Sequence, residues 1–444
     1  MTGPQRLLSL VDTTAITVGI VLGAGIFSFP GLVAGILGRP DLIVAVWIAG
    51  GVLSLIGALC FAELTTAFPD PGGEYHFLHR AYGRDCAFMY GWARMTVIQT
   101  GSIATLAFVF GDYAQQLASL GEYGTSIYAV ISIVVLTGVN VFGLREAKWV
   151  QNLLEAGAVL GLAVLIVVGF SVSGPATPAP ASGDLQLGGL GLAMIFVLFT
   201  YGGWNEAAYI SAEVKDGSRN MARALLYGLG LVTLLYVLIN IAYLNALGVD
   251  GMAKSQAIGA DVMRPVLGEG GAIFMVFLII VVILTSINVT ILTGARTSFA
   301  LGRDFVPFRF LAQWSEGRAQ PVRALLLQGA ISLVLVGIGA VTRGGVGSMV
   351  VFLSPVFWLF FLLVGVSLIV LRRREPDAVR PFRVPFYPIT PIIFCLSSAY
   401  LLYATLDYAS RNYAGIWSWA GLVVLAFGVP FLIWIRRAEN PVSR

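Results

Sequence analysis

Long apolar stretches follow one another along almost the whole chain, and short polar segments separate them. A helix of roughly 20 apolar residues crosses the hydrocarbon core of a bilayer, which is about 30 Å thick. A membrane β-barrel would instead show segments of about ten residues with period-two alternation, and these stretches lack it. The pattern therefore predicts an all-α polytopic membrane protein with twelve transmembrane helices, over residues 10–37, 41–67, 85–118, 125–143, 147–172, 189–213, 222–248, 270–302, 322–342, 346–371, 387–407 and 414–436.

Composition supports the same class. The 444 residues are 58% hydrophobic and only 11% charged, with a mean hydropathy of +0.87. A soluble domain carries about 25% charged residues, so this chain cannot build a surface that faces water throughout. Neither a Walker A motif nor a glycine-rich dinucleotide turn occurs in the sequence, which argues against ATP-driven transport.

Basic residues are distributed unevenly over the loops. If the N-terminus is inside, most of the 27 Lys and Arg residues lie in the inner loops and tails. Inner loops of membrane proteins are enriched in these residues, so we expect both termini to be cytoplasmic in a plasma (inner) membrane protein. The formal charge of +4 then reflects topology rather than nucleic-acid binding. The outer loops would hold only Arg39, Lys254, Arg264, Arg343 and Arg411.

Two apolar stretches contain glycine clusters that interrupt a helix. Residues 19–30 include three glycines and end in Pro30, and residues 201–205 include two more glycines. A backbone that leaves the helix in lipid is tolerated only where protein surrounds it or where it lines a cavity. Matching interruptions in two halves are typical of an inverted repeat with a binding site between them. The alternative is that the glycines only allow close helix packing.

An interrupted helix offers groups that suit a zwitterion. Free N–H groups at a helix start, together with the helix dipole, attract an anion such as a carboxylate. Free carbonyls at the end of an opposing half-helix attract an ammonium group or a cation. The two interruptions therefore predict a site for a small molecule that carries both charges.

Ordered motifs over roughly 370 residues resemble those of the amino acid–polyamine–organocation superfamily, and in particular its L-type amino acid transporter branch. Each motif occurs at the position along the chain where that branch has it. The motifs are Gly23-Ala24-Gly25-Ile26-Phe27, Ala62-Glu63-Leu64, residues 68–75, residues 199–205, residues 213–220, residues 300–304 and residues 374–385.

The resemblance implies the leucine-transporter fold within a single domain, 1–444. Residues 10–172 and 189–371 would form two inverted repeats of five helices, and residues 387–436 would form two additional helices. The stretch 173–188, rich in Pro, Ala and Gly, would be the outer linker between the repeats. Such proteins move amino acids by alternating access, as exchangers or ion-coupled symporters, and a small apolar pocket favours neutral or hydrophobic substrates.

The resemblance also assigns roles to residues. The first interruption would bind the substrate carboxylate through its backbone, carbonyls of the second would bind the amino group, and Phe199 would be an aromatic gate over the substrate. The implied substrate-binding residues are Gly23, Ala24, Gly25, Ile26, Ile98, Ser102, Phe199, Thr200, Gly202, Trp204 and Asn205. The implied gating and coupling residues are Phe199, Glu206, Ser286, Asn288, Thr290 and Ala158.

The coupling ion stays open between H⁺ and Na⁺, and no other cofactor is expected. In sodium-independent members a lysine often stands where this chain has Ala158. Its absence leaves room for a Na⁺ near Gly19, Leu22, Ser286 and Thr290. Glu206 is the candidate proton carrier because burial disfavours a charged carboxylate at membrane depth. The alternative for Glu206 is a structural ion pair.

Other ionisable residues favour structural roles. We expect Glu63 to form an ion pair near the inner end of its span, and Arg94 and Arg296 to pair within the bundle. His76 and His79, with Glu74 nearby, lack the further ligands of a metal site, so no metal is predicted.

Two other functions were weighed. A cationic amino acid or polyamine carrier would need a central acidic side chain, for which Glu206 is the single candidate. A membrane-embedded sensor or enzyme would need a nucleophile–base pair or metal cluster at membrane depth. We therefore predict a transporter rather than an enzyme, with an amino acid substrate and a lipid bilayer as its surroundings, without ATP or nucleic acid. A partner subunit is left open.

Overall fold

Helices account for nearly all of the computed structural model, which describes residues 9–70, 72–142, 148–172, 187–207, 214, 217–315, 320–411 and 416–439. In that part of the chain Ser315 and Gln320 form an isolated β-bridge, and no β-strand occurs. The predicted all-α class is confirmed for these residues. Residues 173–186 of the predicted linker, and residues 213, 215 and 216 of the motif at 213–220, lie outside the described residues.

Seventeen α-helices and three short non-α helical turns follow one another along the described chain. The helices are α1 (Leu10–Val21), α2 (Phe29–Leu37), α3 (Pro40–Ala67), α4 (Glu74–Tyr82), α5 (Arg84–Ala93), α6 (Gln99–Leu117), α7 (Gly124–Val141), α8 (Lys148–Ser171), α9 (Leu187–Thr200), α10 (Trp204–Ala207), α11 (Gly217–Lys254), α12 (Ile258–Asp304), α13 (Val322–Thr342), α14 (Gly345–Arg374), α15 (Ile389–Arg411), α16 (Ile416–Ala426) and α17 (Gly428–Glu439). A 3₁₀ turn covers Ala24–Phe27, a second covers Val306–Ala312, and a π-helical turn, Arg94–Ile98, joins α5 to α6.

Nine helical segments of the described chain are long and apolar enough to cross a membrane. They correspond to nine of the predicted spans, with bounds that agree within a few residues at most ends. The first, fifth and sixth predicted spans contain shorter apolar helices, Leu10–Val21, Gly157–Ser171 and Gly189–Thr200. A polytopic membrane protein is thereby supported, whereas the count of twelve and the inverted repeat stay predictions.

Two compact units are formed by the chain, and each is discontinuous in sequence. The first unit comprises Met1–Phe77, Glu155–Ile279 and Phe361–Ala404. Within it, α11 packs against α1, α2 and α3, and α9 packs against α2 and α3. Two adjacent glycines of α3 allow this packing, because a Cβ at Gly50 would lie 2.4 Å from Val197 Cγ1 of α9 and a Cβ at Gly51 would lie 2.4 Å from Thr233 Cγ2 of α11.

The second unit comprises Leu78–Leu154, Ile280–Phe360 and Thr405–Arg444. Within it, α6, α7 and α13 pack against one another, and α17 packs against α5. A Cβ at Gly111 of α6 would lie 2.2 Å from the Thr125 carbonyl oxygen of α7. Close approach through small residues is thus common to both units, as expected for helices that pack in lipid.

The segment between the seventh and eighth predicted spans is helical on both sides of a short turn. Gly248 (φ 66°) interrupts α11, and Gly268 (φ 65°) interrupts α12, each with a positive φ that glycine adopts readily. Helix therefore covers most of residues 249–269, on both sides of the turn at residues 255–257.

A buried carboxylate links three distant parts of the first unit. Glu63, which is 2% exposed, accepts hydrogen bonds from Arg372 Nε at 2.7 Å and from the Val384 backbone N–H at 2.6 Å. Arg380 Nε lies 3.5 Å from the same carboxylate. The expected ion pair of Glu63 is therefore confirmed, and it fixes the connection between α14 and α15 to the end of α3.

We expect Glu63→Gln to destabilise the protein. The substitution keeps the size of the side chain but leaves two guanidinium groups without their carboxylate, and loss of one partner of a buried pair costs on the order of 3 kcal/mol. The measurement is the thermal unfolding temperature of the purified protein in detergent, which should fall by several degrees.

Glu122→Gln is the matched control. Glu122 pairs with Arg343 at 2.7 Å, but both side chains are more than half exposed, and such surface pairs contribute about 0–1 kcal/mol. An equal loss of stability in the two variants would show that burial of the Glu63 pair is not what matters.

Candidate functional site

The first interruption is a short backbone excursion between two helices. After α1 ends at Val21, the Gly23 N–H donates to the Val21 carbonyl at 2.8 Å, and Gly23 is extended (φ −100°, ψ −175°). The 3₁₀ turn over Ala24–Phe27 follows, and α2 begins at Phe29. The predicted break in the first span is therefore confirmed.

The second interruption separates α9 from α10. Gly203 has φ +102°, which a residue with a Cβ adopts only with strain. On either side of it, the Gly202 N–H donates to the Phe199 carbonyl at 3.1 Å and the Glu206 N–H donates to the Gly203 carbonyl at 2.8 Å. The break predicted at residues 201–205 is thus confirmed as a turn, after which a new helix begins at Trp204.

These two interruptions lie directly against each other in the first unit. A Cβ added at Gly25 would lie 3.1 Å from Thr200 Cα, and one added at Gly203 would lie 2.8 Å from the Ile20 carbonyl oxygen. The glycines therefore have two functions at once, since they break the helices and let the broken segments touch. Packing and interruption are not alternatives here.

One tyrosine hydroxyl reaches both interruptions. Tyr236 of α11 is fully buried, and its hydroxyl lies 2.8 Å from the Val21 carbonyl oxygen and 3.4 Å from the Thr200 carbonyl oxygen. Its ring packs against Trp47 and Tyr201, with centroids 5.8 and 5.0 Å away. The Tyr236 hydroxyl thus provides a hydrogen-bond donor for the carbonyls at the ends of the two broken helices.

Sequence reasoning missed Tyr236. No motif surrounds it, and the available signal was a phenolic hydroxyl within a long apolar run, where a buried tyrosine needs a hydrogen-bond partner.

The segment after the second interruption is fixed by two side chains. Trp204 packs among Phe61, Phe361 and Phe394, with ring centroids 5.1, 5.7 and 6.4 Å away. Asn205 Nδ2 donates to Glu74 Oε1 at 2.8 Å, and Glu74 is 2% exposed. The sequence placed Glu74 in the motif at 68–75 and beside two histidines, without a role at the predicted site, so its contact with Asn205 is a finding of the structure.

Accessibility differs among the predicted residues of the first unit. Gly23, Gly25, Phe199 and Glu206 are half-buried. The access at Gly23 and Gly25 exposes backbone atoms, as the predicted carboxylate contact requires. Half-buried as well are Gly19, Gly202 and Asn205, whereas Leu22, Ala24, Ile26, Ala158, Thr200 and Trp204 are buried.

The predicted residues of the third span lie in the second unit, next to the π-helical turn. Ser102 Oγ donates to the Ile98 carbonyl at 2.8 Å, and both residues are half-buried. A π-helical turn within an α-helix occurs frequently at functional sites. Arg94, within the same turn, donates from Nη1 to the Tyr90 hydroxyl at 3.0 Å.

The predicted residues of the eighth span lie on α12, also in the second unit. Ser286 and Thr290 direct their hydroxyls to carbonyls of their own helix, at 3.1 and 2.7 Å. Asn288 accepts a hydrogen bond from Asn140 of α7 at 2.7 Å. Gln99 Nε2 donates to the Thr290 carbonyl at 2.8 Å and so links α6 to α12.

The candidate residues are therefore assembled in two places. Within the first unit the structure brings residues 23–26 together with residues 199–206. Within the second unit it links the third and eighth spans through Gln99. Of the four residues named for a sodium ion, Gly19 and Leu22 belong to the first unit, and Ser286 and Thr290 belong to the second.

The sequence is similar to those of known amino acid transporters. The sequence matches the family described as amino acid permease over residues 8–430. It is 29% identical to the mouse b(0,+)-type amino acid transporter 1 over 459 residues, which is 100% of this chain and 92% of the relative. It is 30% identical to the mouse large neutral amino acids transporter small subunit 2 over 438 residues, which is 96% of this chain and 80% of the relative.

A match that covers nearly the whole chain includes both helix interruptions and all the predicted site residues. The motifs at 23–27 and 199–205 therefore do not stand alone. The chain belongs to the amino acid permease family.

Proposed function

We propose that this protein is a secondary transporter that moves neutral or hydrophobic amino acids across the plasma membrane by alternating access. The observation that carries the proposal is the direct contact between the two interrupted helices. There the half-buried backbone of Gly23 and Gly25 lies against the segment that carries the half-buried ring of Phe199. The printed names of the relatives, an amino acid transporter and a large neutral amino acids transporter, support the substrate class.

In this proposal the backbone recognises the groups that all α-amino acids share. The 3₁₀ turn at Ala24–Phe27 leaves its first amides without partners inside the turn, so these amides bind the substrate carboxylate. Carbonyls at the end of α9, from Phe199 to Gly202, bind the ammonium group. Recognition by backbone atoms leaves the substrate side chain to the surrounding apolar residues, which favours uncharged substrates.

Closure of the site involves Phe199. Coupling of transport to an ion involves a group that can change its charge. Phe199 covers the substrate as a gate. Glu206 lies in α10, directly after the Asn205 that contacts Glu74. A change in the charge of Glu206 would therefore alter the position of α10, which follows the second interruption. The proposal includes cytoplasmic N- and C-termini, as the distribution of basic residues predicts. The second relative is named a small subunit, and the partner subunit of this chain is left open.

Transport by the purified chain tests the function directly. Proteoliposomes should accumulate or exchange labelled neutral amino acids, measured under a Na⁺ gradient, a proton gradient and a counter-substrate gradient. Uptake of leucine or alanine under one of these conditions is the expected result. Failure of every amino acid under all three gradients would refute the proposal, and uptake of cationic amino acids alone would replace the substrate class.

Tyr236→Phe tests the contact between the interruptions. The variant loses only the hydroxyl near the Val21 and Thr200 carbonyls, and one such hydrogen bond contributes about 0.5–1.5 kcal/mol. We expect the apparent KM for the transported amino acid to rise by about three- to tenfold. Tyr227→Phe, an exposed position on the same helix, is the control and should transport normally. Wild-type KM in Tyr236→Phe would show that the hydroxyl does not shape the site.

Glu206→Gln tests proton coupling. If Glu206 carries a proton during transport, the amide variant should lose most of the pH dependence of uptake while it keeps exchange of internal for external substrate. The measurement is initial uptake rate against external pH in proteoliposomes, with Glu122→Gln as the control carboxylate variant. A pH profile of wild-type shape in Glu206→Gln would return Glu206 to a structural role.

A further inference from the structure

The connection between α14 and α15 combines exposed positive charge with exposed apolar side chains. We propose that this connection, residues 373–389, is a binding site for the phosphate headgroup of an anionic phospholipid at the membrane surface. The site lies outside the residues assigned to the transported amino acid and does not depend on which substrate is carried.

The connection is held rigidly from within. Arg372 bonds to Glu63 and stacks over the Tyr387 ring, 3.8 Å from its centroid. Arg380 donates from Nη2 to the Leu371 and Glu375 carbonyls at 3.1 and 2.8 Å and so caps the end of α14. These two arginines are therefore used inside the protein.

Two further arginines point outward from the same connection. Arg373, in the last turn of α14, and Arg383, just before the Val384 N–H that bonds to Glu63, are both exposed. In the part of the chain that the structure describes, neither side chain takes part in an ion pair or hydrogen bond. A guanidinium group with free donors suits a phosphate oxygen, because it can donate two parallel hydrogen bonds.

Apolar side chains lie beside these charges. Val379 is 80% exposed, Phe386 is 81% exposed and Ile389 is 60% exposed. Phe386 also has a positive φ of 53°, which is strained for an aromatic residue. The Thr390 hydroxyl donates to the Pro385 carbonyl at 2.5 Å and the Ile389 N–H donates to the Phe386 carbonyl at 2.8 Å, so the strained turn is closed by hydrogen bonds.

The position of the connection explains both features. Helices α14 and α15 are both long and apolar enough to cross a membrane. The chain therefore leaves the bilayer at the end of α14 and enters it again at the start of α15, on the same side of the membrane. The connection therefore lies along the bilayer surface, where apolar side chains enter the boundary of headgroups and acyl chains. Basic residues at such a surface attract anionic lipids. A soluble phosphate would use the arginines but would leave the apolar side chains in water.

The experiment measures lipid-dependent stability of the full-length chain in detergent. The unfolding temperature is recorded with added dioleoylphosphatidylglycerol, with the same mole fraction of dioleoylphosphatidylcholine, and with inorganic phosphate. We expect the anionic lipid to raise the unfolding temperature by several degrees more than the zwitterionic lipid, and we expect phosphate to have no comparable effect.

Variants assign the effect to the connection. Arg373→Gln combined with Arg383→Gln should weaken the apparent affinity for the anionic lipid by about tenfold or more. The control double variant, Arg343→Gln with Arg411→Gln, removes the same charge from other exposed positions and should keep the full effect. Because the exchanged side chains are exposed, the variants should fold.

Each of four results would overturn the proposal. An equal shift with the two lipids would show that the headgroup charge is not recognised. A full lipid effect in the Arg373→Gln, Arg383→Gln variant would place the site elsewhere. A shift with inorganic phosphate as large as that with the lipid would identify a free anion as the ligand. Loss of the effect in the Arg343→Gln, Arg411→Gln control would show that the total charge of the protein, and not this connection, is its cause.

Discussion

A backbone that leaves the helix inside an apolar environment must find partners for its polar groups, and this constraint organises the first unit. Both interruptions leave carbonyls outside the regular helix bonding pattern. The two breaks lie against each other, and the Tyr236 hydroxyl lies within hydrogen-bond distance of the Val21 and Thr200 carbonyls. Gly25 and Gly203 make the approach possible because neither position has room for a Cβ. The proposed substrate site uses backbone groups of these same two breaks.

Polar contacts in the first unit join parts of the chain that are far apart in sequence. Glu74 and Asn205 are separated by 131 positions, and Glu63 and Arg372 by 309. Glu63 bonds to Arg372 near the ends of two apolar helices, α3 and α14, whereas Glu74 begins α4 and bonds to Asn205 of α10. Such contacts cannot supply the bulk of the stability, but they fix which segments lie together, which a uniformly apolar surface does poorly. Trp204, among three phenylalanine rings, adds the matching apolar anchor.

The sequence was sufficient to predict features that depend on local chemistry. Apolar run length predicts the helices, and clustered glycines predict the breaks at 23–25 and 202–203. Partners could not be predicted, because a partner is set by packing. Glu63 was expected to form an ion pair, but Arg372 and Arg380 could not be named. Tyr236 and Glu74 were missed for the same reason, since each acts through a contact with a residue more than 35 positions away.

The substitution at Ala158 constrains how transport can be driven. The resemblance places a lysine at this position in sodium-independent relatives, and an alanine cannot take up or release a proton. Any coupling must then come from a group that can, from a cation bound from solution, or from exchange of substrates. In the described part of the chain, the hydroxyls of Ser286 and Thr290 donate to carbonyls of their own helix, and exchanging such a bond costs about 1 kcal/mol. A hydroxyl that donates in this way keeps oxygen lone pairs for a cation, so the proposal of a bound cation and the proposal of a proton on Glu206 are alternatives that experiment has to separate.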